Sequence, residues 1–407
     1  MSRILIQSSA LVVDAYRELN SKRLFWITMI LSALVVVVFG MFGINDKGLT
    51  FFIWDFPLPF FNTTIIKPGI FYKFAFANIG IPIWLSWAAT ILALISTASI
   101  IPDFVASGSI ELTLSKPIGR MRLFLSKYLT GLLFVALQVI VFTGACFMVI
   151  GFRGGSWEWS IWLAVPIVML FFSYLFAVCA LVGLVTRSTI AALLITLLVW
   201  FVCWGVNLTD VIFLQQREFA VMRVEQQTKV VSRREAAAAK VVVKAKADGT
   251  FDLLPKGHDA SDDLARVSPM LILARKELDE AKESTQKWER WSLLVYRVKW
   301  FIPKTAETIG LLDRYLLSEE DKKLFAGPGG NSGNDDSTDF TDMNEGPKPE
   351  ETRSQRRDRN REAQSNVSTR MDAALRSRTT TWVIGTSVGF ELIILALACW
   401  IFVRRDF

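Results

Sequence analysis

A helix that crosses a bilayer needs about twenty consecutive, largely apolar residues, because each residue climbs only about 1.5 Å through a hydrocarbon core about 30 Å thick. The chain holds six windows of that kind. They are Leu24 to Ile44, a stretch between Lys73 and Asp103 centred on Pro82 to Ile101, one between Lys127 and Arg153, one between Glu158 and Arg187, Ser188 to Thr209, and one between Arg378 and Arg404. Only Glu391 interrupts the last. Buried helices of soluble domains seldom run so long without charge, so six such windows predict an integral membrane protein. Composition agrees: of 407 residues 52% are hydrophobic, with 30 Phe and 14 Trp. One His and four Cys argue against a His/Cys metal site or a disulfide-stapled secreted domain.

Orientation follows from Lys and Arg in the short loops, which favour the cytoplasmic side. With the N-terminus inside, the inner segments carry eleven basic residues: Arg3, Arg17, Lys22, Arg23, Lys116, Arg120, Arg122, Lys127, Arg187, Arg404 and Arg405. The outer short loops carry four, namely Lys47, Lys67, Lys73 and Arg153. Both termini are therefore expected in the cytoplasm, with Trp157, Trp159 and Trp162 in an outer interfacial belt. The segment from Asp210 to Thr380 then lies outside. Its thirty basic and twenty-nine acidic residues nearly cancel, so the net +7 belongs almost wholly to the membrane half. That basicity reads as topology and lipid contact, and no nucleic-acid partner is assigned.

The expected fold class is an all-α integral membrane protein. It has six transmembrane helices, an N-terminal interfacial helix and a large helical extracytoplasmic insertion between helices five and six. Residues 1–23 hold Ile4, Leu5, Leu11, Val12, Tyr16 and Leu19 at roughly helical spacing. This suits a helix lying in the cytoplasmic interface, or an irregular flank of the first span. Charges at Asp14, Arg17 and Glu18 argue against a cleavable signal. Spans one to five occupy 24–209, with a cytoplasmic loop at 101–124. The sixth span occupies 381–403, and 404–407 form a cytoplasmic tail. Gly144, Gly151, Gly183, Gly385 and Gly389 are expected to allow close approach of helices.

Within the insertion, 210–380, two runs follow 3-4 spacing. One is Val221, Val224, Thr228, Val231, Glu235, Ala238, Val242 and Ala245; the other is Leu271, Ala274, Leu278, Ala281, Thr285, Trp288, Ser292 and Val295. Asp248-Gly249 and Leu254-Pro255 supply turn chemistry between them. The pattern reads as an antiparallel hairpin continuing out of the fifth span, or as two independent surface helices. A shorter helix is expected at Thr305 to Leu317. Residues 326–352 are acidic and rich in Gly and Asn, and predict disorder. The basic strip Arg353 to Arg378 suits either anionic lipid headgroups or solvent.

Catalytic signatures are missing. The sequence contains no Gly-x-x-x-x-Gly-Lys-Ser/Thr loop and no His-Glu-x-x-His, so the chain is not expected to be an enzyme. One ionisable residue, Glu391, sits near the middle of a span, where charge is costly. It reads either as a carboxylate for substrate or gating, or as a hydrogen-bonded group that fixes helix packing, with Gln138 of the third span as its partner.

The loop between spans two and three is unusual for a linker. It runs Ile101-Pro102-Asp103-Phe104-Val105-Ala106-Ser107-Gly108-Ser109-Ile110-Glu111-Leu112-Thr113-Leu114-Ser115-Lys116-Pro117-Ile118-Gly119-Arg120. A Ser-Gly hinge, an apolar-faced helix and a Pro-stopped basic turn suit docking of a cytoplasmic partner, or a plain interfacial helix. This string resembles the loop of ATP-binding-cassette (ABC) transporter permeases of the second exporter class. There Ser-Gly-Ser/Thr-Ile-Glu and then Leu-Leu-Ser-Lys-Pro-Ile-Ser-Arg precede the third span. The matching positions are Ser107, Gly108, Ser109, Ile110, Glu111, Leu114, Ser115, Lys116, Pro117, Ile118 and Arg120, with Gly119 where the family has Ser. Within the class the chain looks most like bacterial multicopper-enzyme-maturation-type permease components.

The resemblance implies a non-catalytic half-transporter in a bacterial plasma (inner) membrane. A second permease chain, identical or not, would complete the pathway. Separate cytoplasmic ABC ATPase subunits would dock on Ser107 to Arg120 and supply ATP chemistry, so no cofactor is expected on this chain itself. Membrane lipid is the remaining expected contact, together with an extracytoplasmic protein on the insertion. The reading from another class is a membrane-anchored sensor or scaffold whose helical insertion binds a cell-envelope partner.

Overall fold

The computed structural model describes residues 23–57, 62–106, 119–251, 263–318, 321, 367 and 369–405. Its helices in chain order are α1 (Arg23–Met41), α2 (Pro68–Val105), α3 (Arg120–Gly154), α4 (Ala164–Thr186), α5 (Thr189–Ala247), α6 (Asp263–Val267), α7 (Pro269–Val298), α8 (Thr305–Leu316) and α9 (Thr380–Arg404). A 3-10 turn, Trp159–Leu163, leads into α4. Helices α1 to α5 and α9 are long and apolar enough to cross a membrane, and each overlaps one of the six apolar windows of the sequence. The expected interfacial helix at 1–23 and the acidic run at 326–352 lie outside the described residues, apart from Arg23.

The chain divides into two compact units. The first takes the described residues up to Gly205, those from Phe301 to Asp321, and those from Thr379 onward. At its centre is α4, whose apolar window is 78% buried, against 22% for α1. Apolar residues surround α4 on every side, which is the mark of a helix enclosed by others. Phe171, Phe172, Leu175, Phe176, Ala177, Cys179 and Ala180 are all buried, and α3, α8 and α9 pack around it. Helix α1 instead leaves Trp26, Ile30, Leu34 and Val37 more than half exposed, as a lipid-facing helix would.

Polar side chains inside these helices turn back on their own backbone, since apolar surroundings offer them nothing else. Thr28 donates to Leu24 O (2.8 Å), Thr97 to Ala93 O (2.7 Å), and Thr196 to Ala192 O (2.7 Å). Pro82 removes one amide donor from α2, and Phe76–Ala89 widens to a π-helix around it. Ser86 and Thr90 hydroxyls reach five residues back there, to Ile81 O (3.0 Å) and Leu85 O (2.8 Å).

One expectation needs correcting. The chain is not all-α: β1 (Phe42–Asn45), β2 (Gly48–Phe51) and β3 (Trp54–Pro57) form an antiparallel meander after α1. Aromatic and β-branched residues suit strands, and Asn45-Asp46-Lys47-Gly48 supplies the first turn. By hydropathy alone Phe42 to Ile44 belong to the first apolar window; in the structure they form part of β1. The described residues of 210–380 divide between the two units. Helix α8 groups with the first unit. Its Leu311 and Leu312, with Leu316 and the following Leu317, are buried in the main core, beside buried Thr305 and Thr308.

The second unit, within 206–300 and 341–378, contains the C-terminal part of α5 and all of α7. Val231 and Ala238 pack with Leu271, Ala274 and Leu278, so the 3-4 spacing does mark the buried seam. Glu235 stays in that seam because Arg275 donates to its Oε1 through Nε (3.1 Å) and Nη2 (2.7 Å). Phe213 meets Trp288 at 5.7 Å, Glu235 meets Arg275, and Lys246 meets Asp263 at 2.6 Å. As one partner's number rises the other's falls, so the arms are antiparallel.

Of the five glycines expected at close approaches, Gly151 and Gly183 do lie against Trp157 and Pro102. Gly385 and Gly389 face open space, whereas Gly131 of α3 makes a close approach. A methyl there would come within 2.3 Å of the Phe176 ring, which stacks on Tyr128 at 5.2 Å. Overpacking of this kind costs about 1–3 kcal/mol. Gly131→Ala should therefore lower the thermal unfolding midpoint in detergent, whereas Gly385→Ala should leave it unchanged.

Candidate functional site

The loop singled out by sequence is known here by its mountings. Ser107, Gly108, Ser109, Ile110, Glu111, Leu114, Ser115, Lys116, Pro117 and Ile118 lie outside the described residues; Gly119 and Arg120 are described. On the near side, Phe104 is buried and stacks on Phe402 of α9 at 6.3 Å, with Lys127 Nζ 5.7 Å from its ring centroid. On the far side, Arg120 starts α3. Its Nη1 donates to Val403 O and Arg405 O, each at 3.2 Å. Those carbonyls end α9 and lack intrahelical donors, so a guanidinium there meets an unsatisfied, negatively polarised terminus. Arg405 in turn donates to Leu184 O of α4 at 2.7 Å.

The ends of α2, α4 and α9 and the start of α3 are thus joined at one end of the bundle. Arg120, Arg122, Lys127, Arg187, Arg404 and Arg405 all belong to these termini. The opposite end holds Lys73, 3.4 Å from Glu158 and 4.0 Å from Asp321, and Tyr72, whose hydroxyl donates to Phe42 O at 2.7 Å. Trp157, Trp159 and Trp162 gather there around Phe147.

A second polar centre lies within the bundle. Glu391 is 9% exposed and stands midway along α9. Its Oε1 accepts from the Tyr128 hydroxyl of α3 at 2.8 Å, and its Oε2 accepts from Ser173 Oγ of α4 at 2.9 Å. One carboxyl thereby ties three helices. The partner expected for it, Gln138, is not there. Tyr128 holds the α3 level of Glu391, and Gln138 lies ten residues further along α3, about 15 Å at the helical rise. Gln138 is 1% exposed, and neither amide atom has a hydrogen-bond partner.

One turn of α9 from Glu391, Ser387 continues the polar face toward the opposite end. Its Oγ accepts from the Lys304 backbone N–H at 2.9 Å and donates to Val383 O at 2.8 Å. Tyr174 of α4 is buried, and its hydroxyl makes no hydrogen bond among the described residues. The Lys304 ammonium is buried at 2% exposure, 4.2 Å over the Trp382 ring, and donates to Thr386 Oγ1. Sequence reasoning found Glu391 but missed Tyr128, Ser173, Tyr174, Ser387 and Lys304. A helical-wheel reading would have found part of this set, since Ser387 and Glu391 are four residues apart.

In the second unit, Asp210 is 3% exposed and holds two cations. Lys299 Nζ lies 2.8 Å and Arg378 Nη1 2.7 Å from its Oδ2. Lys299 also donates to Asn207 Oδ1 at 3.0 Å. This cluster joins the first charged position after the fifth apolar window to the end of α7 and to the residue preceding Thr379. Cys146, Cys179, Cys203 and Cys399 are free and buried.

No family model, curated protein or solved structure matches the chain.

Three substitutions test the buried polar groups of the bundle. Tyr128 and Ser173 each have a second acceptor, Ser173 O (3.0 Å) and Leu170 O (2.8 Å), so losing Glu391 does not orphan them. Glu391→Leu should therefore cost about 1 kcal/mol for each hydrogen bond lost, while Glu391→Gln should keep most of the stability. Thermal unfolding in detergent reads the difference. The unpaired amide of Gln138 predicts the opposite sign, because Gln138→Met removes a buried polar group from an apolar setting. Its unfolding midpoint should rise.

Proposed function

We propose that this chain is the permease subunit of an ATP-driven exporter of the ABC type, coupled to a separate cytoplasmic ATPase through the loop between α2 and α3. The observation that carries the reading is the Ser107 to Arg120 string, set between Phe104 and Arg120. Both of those residues are fixed to the end of α9, Phe104 by its ring and Arg120 by its guanidinium. A push on such a loop passes directly into α9 and, through Arg405, into α4. Those two helices carry Ser173, Tyr174, Ser387 and Glu391, so force at the loop is applied to the helices holding the polar core. On this reading the loop, both termini and the cluster of Arg and Lys face the cytoplasm of a bacterial inner membrane. A second permease chain completes the pathway, and ATP binds and is hydrolysed on the partner alone.

A second reading, a membrane-anchored sensor or scaffold, is favoured by one observation: the α5–α7 hairpin forms a compact unit of its own. An envelope protein bound there is compatible with either reading.

The loop chemistry can be tested at a single position. Glu111→Lys reverses one charge in the docking element and touches no span. Its expected outcome is reduced stimulation of the partner ATPase, with membrane insertion unchanged. Stimulation equal to wild type would remove Glu111 from the coupling surface.

A further inference from the structure

The meander after α1 carries an apolar turn in an unusual place. Phe42 pairs with Phe51, and Phe51 pairs with Trp54. The Phe52-Ile53 turn therefore lies at the end of the sheet from which α1 emerges. Phe52 N donates to Met41 O at 2.9 Å, which fixes the turn to the last residue of α1. Tyr72 of α2 holds the same end through Phe42 O. The polar turn, Asp46-Lys47, lies at the far end, where Asn45 Oδ1 accepts from the Lys47 and Gly48 amides at 3.0 Å each. The sheet is thus polarised along its length, with its polar turn away from the bundle and its apolar turn level with the end of an apolar helix.

That apolar turn is bare. Phe52 is 69% exposed, Ile53 78%, Trp54 69% and Phe56 52%. Phe52 also sits at φ 55°, at the first central position of a two-residue hairpin loop, where Gly is the usual residue. A side chain in that left-handed region costs about 1–2 kcal/mol, so the chain carries a phenyl ring there despite strain that glycine would avoid. The exposed row of α1, ending in Leu34, Val37 and Val38, runs up to the level of this turn. Aromatic and large apolar side chains placed at the end of a spanning helix suit the headgroup–acyl boundary of a bilayer.

We infer that the Phe52–Trp54 turn is a membrane-dipping finger, inserted into the lipid leaflet at the C-terminal end of α1. The inference rests on the reading of α1 as a membrane span. The finger clamps the first span at a fixed depth and holds the Asp46-Lys47 turn in water, so the outer loop between α1 and α2 is braced against the bilayer rather than free above it.

Site-directed spin labelling of the full chain in phosphatidylcholine–phosphatidylglycerol nanodiscs tests this. Single labels go on Ile53→Cys, Lys47→Cys and Leu34→Cys; all three parent side chains are exposed, so none disturbs packing, and the native cysteines are buried. Collisions with oxygen, which partitions into lipid, are compared with collisions with a water-soluble nickel chelate. The labels at Ile53 and Leu34 should favour oxygen several-fold, and the label at Lys47 should favour nickel. Nickel access at Ile53 equal to that at Lys47, with Leu34 still in lipid, would put the finger in water and overturn the inference while leaving the span intact. An Ile53 label shielded from both reagents would mean a protein covers the turn, which also overturns it. Nickel access at Leu34 would refute the span itself.

Discussion

An apolar environment supplies no hydrogen-bond partners, and that constraint organises the first unit. Helices satisfy their own backbones, so each remaining polar group must be paired by another side chain or by a spare carbonyl. The polar groups that survive inside the bundle therefore lie where helices meet. Glu391, Tyr128 and Ser173 join α9, α3 and α4, while Ser387 and Lys304 join α9 to the segment entering α8. Shape does the rest. Gly131 accepts the Phe176 ring, and α4 is enclosed because its whole circumference is apolar. Packing alone would allow the helices to slide along one another. The paired polar groups fix their register, because a shift of one turn would leave a carboxyl or an ammonium without partners.

This arrangement links the two ends of the unit mechanically. Helices α4 and α9 share the central polar contact and are also tied at the end where Arg405 reaches Leu184 O and Arg120 reaches the last carbonyls of α9. They receive α8 toward the other end, with Lys304 at the level of Thr386 and Ser387. A displacement imposed at the loop between α2 and α3 reaches the α8 contacts through two helices rather than through flexible connections. That is the property a coupling element requires, and it supports the proposal that a driving partner engages that loop.

Much of the architecture was legible in the sequence because charge exclusion is a simple signal. The six windows, the continuation of span five into the hairpin, and the seam of Val231, Ala238, Leu271, Ala274 and Leu278 all follow from spacing and hydropathy. The meander was not legible, since Phe42 to Ile44 is as apolar as the helix before it and periodicity cannot separate three strand residues from one more helical turn. Helix α8 is legible as a helix but not in its packing, because its three leucines mark an amphipathic face without saying which surface receives it. At the polar centre the sequence exposed Glu391 through its rarity in a span. It could not supply the register between α3 and α9, and that register selects Tyr128 over Gln138. The Asp210, Lys299 and Arg378 cluster was hidden for a similar reason, as its members lie far apart in a segment dense with charge.

The central claim is that a separate ATPase engages this chain at the loop between α2 and α3. The most direct measurement is affinity purification of the intact chain in mild detergent, with co-purifying proteins identified and quantified by mass spectrometry, beside a variant in which Ser107 to Arg120 is scrambled. The account predicts a stoichiometric small ATPase with the native chain and its loss from the scrambled one. A clean preparation without any ATPase, reproduced in native nanodiscs, would contradict the account and turn attention to the α5–α7 hairpin as the functional surface.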